Sequence, residues 1–472
     1  MKWIKTHIEK LAAALGFIAA FAFFLIAYPY HLVRRETLNL FLFDWDYIGQ
    51  TYRGSGWLVR FVSDFLEQFF HLPVVGPLVV ALLLTGIGVV AFRICRHFMG
   101  KWPSLVVAFL FFGWSFMRET GNIYTTRYTL VVLGYLSLIL AALQFKKVWL
   151  KAVAAVVLLL LGFWALEWPY HQHYGKLWSV PKLDYERVIA LDIETSRENW
   201  DKVLELSKRD LHMVEASYCY NLAHAMKGDL GNELLKHSQS DAQNLLMRVS
   251  VDRSTFTNCL AGEAWFQLGN MTVAEQSAII SLQASPKHTG VRFLKRLARV
   301  NLISGQDASA QKYLNLLTRT LFYGKWAKSM LPGNQSEATQ KELAQARANL
   351  PVTDFVHHSE VPRSILLGLL EANPHNRVAR NYLLCFDLMR YDLDAFMEDY
   401  VPDMIPANLY KEAVLIWLSQ RDELTEENAA KYGADDGTVS RMNRFYRNPD
   451  LYRTTYWYYY LDALYESNND DI

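Results

Sequence analysis

The chain of 472 residues is poor in cysteine, with only Cys95, Cys219, Cys259 and Cys385. None forms a CxxC pair, which argues against a zinc or dithiol redox motif. Cys219, Cys259 and Cys385 lie within apolar helical patterns, where buried free thiols are expected. An excess of charge is also missing: 48 Lys+Arg against 47 Asp+Glu gives a net charge of +1. No basic surplus favours nucleic acid, and no acidic tail is present. Walker A, GxSxG, HExxH and glycine-rich dinucleotide patterns are all absent, which weakens ATPase, hydrolase and dehydrogenase readings and implies no cofactor. Runs that alternate apolar and polar residues are missing too, so the fold class reads as all-α.

What the chain does have is long apolar runs, confined to one part. A mean hydropathy of +0.03 averages two unlike halves. Nearly all apolar runs precede Pro169, and most of the charge follows it. A spanning helix needs about 20 apolar residues, and residues 11–30, 72–92, 104–117, 128–145 and 148–168 are the candidates. The first follows Lys2, Lys5 and Lys10 and ends in Tyr28-Pro29-Tyr30. It is longer than the apolar core of a signal peptide and lacks small residues at its end, so it reads as a retained anchor. The third run is the shortest. A re-entrant reading of it would reverse the side of everything downstream. Residues 1–170 thus read as a multi-pass helical bundle in a lipid bilayer.

Sidedness follows from cations in the short loops. With the N-terminus in the cytoplasm, the inner stretches carry Lys2, Lys5, Lys10, Arg93, Arg96, Lys101, Lys146, Lys147 and Lys151. The longer outer stretches carry Arg34, Arg35, Arg53, Arg60, Arg118 and Arg127. Five crossings then leave the C-terminal part outside the cytoplasmic (inner) membrane, in the periplasm of a Gram-negative cell. In the first outer loop, residues 57–70 place Trp57, Phe61, Phe65 and Phe69 near one face and Arg60, Asp64, Glu67 and Gln68 among the polar positions. This predicts an amphipathic helix lying in the outer interface, or a soluble hairpin packed on the tail.

Residues 171–472 show a helical apolar period broken by turns such as Lys227-Gly228-Asp229 and Ser304-Gly305-Gln306. Gly262, Trp265, Gly269, Ala274 and Pro286 stand at the spacing of a tetratricopeptide (TPR) repeat, and Ala298, Gly305 and Ala310 reproduce Gly262, Gly269 and Ala274. Small residues let two helices of a hairpin approach, and glycine takes the turn. The architecture predicted is a TPR-like α-solenoid, with an irregular helical domain as the alternative.

Five stretches carry a broader resemblance: residues 41–70, 220–239, 297–327, 373–396 and 454–461, from FLFDWDYIGQTYRGSG to TTYWYYYL. On these the chain resembles a bacterial family of multi-pass membrane proteins of unknown function with TPR-like tails. The resemblance implies the architecture and carries over no catalytic residues.

Chemistry has few footholds. Asp44 and Asp46, just past the first apolar run, resemble the carboxylates that polyprenyl-phosphate-sugar glycosyltransferases place there. The bland reading is an acidic loop. His171 and His173, near Glu167, have a metal-ligand spacing, and His357-His358 stand near Glu360, yet the first pair reads more simply as interfacial residues beside Trp168 and Tyr170 and the second as polar residues of a solvent-facing loop. Arg118 and Glu119 close the third run and read either as an intramembrane functional pair or as its boundary. Tyr456 to Tyr460 read as a packed terminal helix rather than a ligand platform. No metal is expected. The function expected is a membrane-anchored scaffold binding a protein or peptide through Asn258, Trp265, Lys295 and Asn301 on the repeat surface. The alternative is an enzyme acting on a lipid-linked glycan through Asp44 and Asp46.

Overall fold

A computed structural model describes residues 2–121, 125–171, 180–209, 211–285, 287–353, 355, 357–402 and 404–462. No β-strand occurs among them. In order the helices are α1 (Lys2–Ala22), α2 (Pro29–Thr37), α3 (Trp45–Thr51), α4 (Trp57–Glu67), α5 (Val75–Cys95), α6 (Lys101–Glu119), α7 (Thr125–Leu143) and α8 (Val148–His171). They continue with α9 (Leu183–Ser196), α10 (Trp200–Leu206), α11 (Val214–Lys227), α12 (Leu230–Glu233), α13 (Thr255–Leu268), α14 (Met271–Ala284), α15 (Val291–Ile303) and α16 (Asp307–Leu317). The last are α17 (Gly324–Met330), α18 (Glu337–Arg347), α19 (Pro362–Ala372), α20 (Arg377–Met389), α21 (Leu393–Asp399), α22 (Asn408–Ser419), α23 (Glu426–Lys431) and α24 (Asp436–Phe445). Residue contacts divide the chain into Met1–Ile189 with Thr289–Arg292 and Asn315–Lys328, and the remainder. The boundary at 170/171 drawn from hydropathy follows where the apolar runs end. Packing carries the first unit further, to Ile189, and recruits two short later segments.

In the first unit α5 is the central helix and packs against α1, α6 and α7. Val80, Ala81, Leu84, Ile87 and Ala91 recur at helical spacing and are buried against Ala20, Phe24, Leu136 and neighbours. α1 runs into a π-helical turn at Phe23–Ala27, and Pro29 at the first position of α2 starts a new helix after Tyr28. Gly162 lets α8 approach α7 closely: a Cβ there would sit 2.6 Å from the Tyr135 hydroxyl, which donates to Leu158 O at 3.0 Å.

Among the described residues three helices are long and apolar enough to cross a membrane: His7–Ala27, Val75–Cys95 and Thr126–Leu143. The five runs read from sequence shift accordingly. The first ends at the π-turn rather than at residue 30. The third becomes the 19-residue α6, whose Lys101, Arg118 and Glu119 ends lower its hydropathy. The apolar part of α8 among the described residues is the shorter Val148–Gly162. The outward faces of these helices are apolar: Leu11, Leu15 and Ile18 on α1, Val106, Phe109 and Leu110 on α6, and Val153, Val156, Leu159 and Leu160 on α8.

α4 is inside out by the standards of a protein in water. Its polar residues Ser63, Asp64 and Glu67 are buried, while Trp57 and Leu58 are exposed. The predicted helix forms, but its polar face turns into the protein against α2 and α7 rather than towards solvent. The reason is a set of oppositely charged partners, described below.

In the second unit neighbouring helices pair as hairpins: α10 with α11, α13 with α14, α19 with α20, and α20 with α21. Gly262 on α13 lies against α14, where an added Cβ would be 2.8 Å from Ser277 Cβ. Ala274, Ala298 and Ala310 are fully buried. Gly269 and Gly305 end α13 and α15 at φ +94 and +73, a left-handed conformation that glycine adopts without a Cβ clash. Pro286 lies outside the described residues. The expected solenoid is altered by long-range pairing. α11 packs on α20, and α12 on α20 and α22. Asn376 Nδ2 donates to Leu268 O at 3.1 Å, and Asn408 N to Asn232 Oδ1 at 2.9 Å. A linear solenoid contacts only adjacent repeats, whereas here early and late hairpins close on each other.

Candidate functional site

The first unit holds a buried ionic cluster at one end of its bundle. α2 contributes Arg35, α4 Asp64 and Glu67, the last turn of α6 Glu119, and the first turns of α7 Thr126, Arg127 and Thr129. The Arg35 guanidinium bridges Glu67 at 3.1 Å and Glu119 at 2.9 Å and donates to Thr126 Oγ1. Thr129 Oγ1 donates to the other Glu119 oxygen at 3.2 Å. Arg127 binds both oxygens of Asp64, at 2.9 and 3.0 Å, and Tyr52 OH donates to Asp64 at 3.2 Å. Burial opposes the Arg35 charge, but Glu119 and Glu67 outweigh it and raise its pKa further. His31, on the same helix, is held well below its ordinary pKa by burial and then by Arg35 and Arg34, so it is neutral.

Beside the cluster, Tyr323 OH donates to Glu36 at 2.8 Å, and His71 stacks on Phe322 at 5.0 Å. A void of about 10 Å³ lies among Glu36, Asn39, Gln68 and Tyr323, the size of one water. Glu186 Oε1 accepts from Tyr30 N at 2.7 Å and His31 N at 3.2 Å at the start of α2. Burial pushes its carboxyl up to about 8, against those two donors and Arg34.

The second unit holds an open cleft of about 660 Å³. The segment 241–248, the approach to α19 and the end of α20 form it. Leu246, Phe386 and Met389 make an apolar floor, and Asp241, Arg248, Glu360, Arg363 and Arg390 stand around it. Arg248 is paired with Asp252 at 3.1 Å and Glu360 at 2.8 Å. Arg363 is paired with Asp387 at 3.1 Å and Asp399 at 2.7 Å. Burial still lifts the Asp387 carboxyl to about 7 against the pull of Arg363. Arg390 is exposed and lies over the Phe386 ring at 5.6 Å. The size suits a small ligand or a few peptide side chains, and an apolar floor with a charged rim suits an anchored peptide.

Residues 2–167 and 165–463 match the profile described as Family of unknown function (DUF6057). The chain belongs to this family. No curated protein and no solved structure matches it.

The residues singled out from the sequence of this DUF6057 member fare differently in the structure. Asp44 caps α3, accepting from Tyr47 N at 3.0 Å, and pairs with Arg319 at 2.9 Å. Asp46 is exposed in the first turn of that helix. The surface expected at Asn258, Trp265, Lys295 and Asn301 is not a surface. Asn258, Trp265 and Asn301 are buried. Asn258 Nδ2 donates to Ser250 O at 2.8 Å, and Asn301 Nδ2 to Glu275 Oε1 at 2.8 Å. Lys295 is half-buried, and burial with Arg299 and Arg296 lowers its pKa. These asparagines tie helix to loop or helix to helix, so a docked partner does not reach them.

His173 and the side chain of His171 lie outside the described residues. His358 Nδ1 stands 3.9 Å from Glu360, and no group of three potential metal ligands occurs among the described residues. Tyr456 and Trp457 are buried, with Tyr456 OH donating to Leu388 O at 3.0 Å. Cys219, Cys259 and Cys385 are buried free thiols. Sequence reasoning missed the Arg35–Glu67–Glu119 cluster because it assigned Arg35 to a loop, Glu67 to a wet helix face and Glu119 to the end of the third apolar run, three separate places. The signal was present in Asp64 and Glu67, one helical turn apart among large apolar residues. The cleft left no comparable trace.

Proposed function

We propose that this protein is a membrane-anchored, TPR-like helical scaffold whose C-terminal unit holds a peptide segment of a partner in the cleft beside Arg390. The cleft carries the reading: about 660 Å³ with an apolar floor and a charged rim is the anatomy of a peptide anchor. Hairpins such as α13–α14, with Gly262 at the crossing and Gly269 at the turn, support the repeat class.

The inverted polarity of the first unit supports the membrane. Charges sit inside, and Leu, Val and Phe sit outside, where lipid replaces water. α6 also supports a multi-pass bundle. Its Glu119 end meets the start of α7 and the Glu67 end of α4, just ahead of α5, so it runs antiparallel to α5 and α7. Its 19 residues extend roughly 28 Å, close to the thickness of a bilayer core. With α8 this makes five crossings and leaves the C-terminal unit in the periplasm.

A photo-cross-linking residue at Ser364, exposed in the cleft, tests the reading in intact cells. The expected result is one discrete adduct that is absent when the same residue replaces Lys341, exposed elsewhere. Absence of an adduct from position 364, or identical adducts from both positions, sinks the peptide-binding proposal.

A further inference from the structure

Arg118 stands apart from the ionic cluster that surrounds its neighbours. It is the penultimate residue of α6 and is only 5% exposed. A guanidinium carries five N–H donors. Among the described residues none of them reaches an acceptor, and Nε is buried without a partner. Glu119, next in the chain, is turned to Arg35 and Thr129, and Asp64 is held by Arg127. What Arg118 does have is aromatic: its guanidinium lies 3.6 Å from the Tyr128 ring centroid and 5.8 Å from that of Trp114. A ring face steadies the charge but accepts none of the hydrogen bonds. Glu119 acts on it only through space, so a cation this little exposed to water keeps unfilled donors, which is costly.

The surroundings point to what supplies the anion. Leu110, Trp114 and Arg118 fall at i, i+4 and i+8, one stripe along α6. Leu110 is exposed, Trp114 half-buried, and Arg118 closes the stripe at the helix end. An apolar residue facing outward, then an aromatic pair, then an arginine is the order of a bilayer leaflet from acyl chain to headgroup. Guanidinium matches phosphate geometry through two parallel N–H donors.

We propose that Arg118 binds the phosphate of an anionic phospholipid whose acyl chain lies along Leu110 and Trp114. The phosphate accepts from the guanidinium edge, while Tyr128 covers the guanidinium face. This rests on the membrane placement of the first unit, and the experiment separates the two.

Membranes are first washed with alkaline carbonate. Release of the wild-type chain overturns the membrane placement, and the lipid site with it. Retained protein is then purified in a neutral detergent, and its thermal midpoint is followed with three probes: dioctanoyl phosphatidylglycerol, dioctanoylglycerol and inorganic phosphate. The expected result is a rise of several degrees with phosphatidylglycerol alone, abolished in Arg118→Gln. An equal rise with dioctanoylglycerol, or in Arg118→Gln, overturns the site. An equal rise with inorganic phosphate overturns its assignment to lipid. Should Arg118→Gln fail to fold, Arg118→Lys is compared with wild type. It keeps the charge and loses the planar fork, so the half-saturating lipid concentration is expected to rise several-fold, and an unchanged value overturns the proposal.

Discussion

Removing Arg35 tests the interior of the first unit most severely. Its guanidinium is 1% exposed and neutralises two carboxylates, Glu67 at 3.1 Å and Glu119 at 2.9 Å, while donating to Thr126. Arg35→Met keeps much of the apolar stem over Phe70, which now lies 5.1 Å below the guanidinium carbon. It leaves two like charges buried with no cation between them. Breaking one buried pair by removing a partner costs about 3–5 kcal/mol. Here two carboxylates lose their partner, so the upper end is expected, a factor of roughly a thousand or more in the folding equilibrium.

The physical cause is uncompensated charge, so removing the charge restores stability. The triple variant Arg35→Met, Glu67→Gln, Glu119→Gln is expected to recover more than half of the loss, since neutral replacements of buried ion pairs are often tolerated. The assay is helical circular dichroism of the purified protein in a neutral detergent against temperature. A single variant within about 1 kcal/mol of wild type, or a triple variant no better than the single, refutes the assignment of stability to this cluster.

Four further outcomes follow. Because burial raises the Glu186 carboxyl to about 8, its stabilising contribution is complete below its unfolded value and is lost as pH rises through 8; the melting temperature is expected to fall from pH 5 to 8.5, with that part of the slope missing in Glu186→Gln. Gly262→Ala overpacks the α13–α14 crossing against Ser277 and is expected to cost about 1–3 kcal/mol in thermal denaturation, with relief in the double variant carrying Ser277→Gly. Gly269→Ala adds a Cβ 2.6 Å from Asn349 O at φ +94, whereas Gly305→Ala meets open space at φ +73, so the first is expected to lose clearly more than the ~1 kcal/mol of the second, and equal losses count against the packing described. A single cysteine at exposed Ser336 is expected to react with an impermeant maleimide in intact cells, and protection until lysis contradicts a periplasmic C-terminal unit.

The sequence alone determined the helical class, the apolar helices and the turn glycines, because these depend on local facts. Apolar length sets what can cross a bilayer, and a 3.6-residue period sets a helix. Gly269 and Gly305 were legible because a left-handed turn between helices all but requires that residue. Only the tertiary structure decided which way each polar residue faces. Asp64 and Glu67 look solvated on a helical wheel, and they turn inward because Arg35 and Arg127, far along the chain, arrive at the same place. Asn258 and Asn301 look like recognition groups on a repeat surface, yet the hydrogen bonds that bury them join elements the sequence does not show to be neighbours. The cleft likewise draws its walls from residues 241–248, 359–364 and 386–390, and its existence depends on the closure of early hairpins onto late ones. Periodicity records which residues share a face, whereas burial and charge pairing depend on what that face meets.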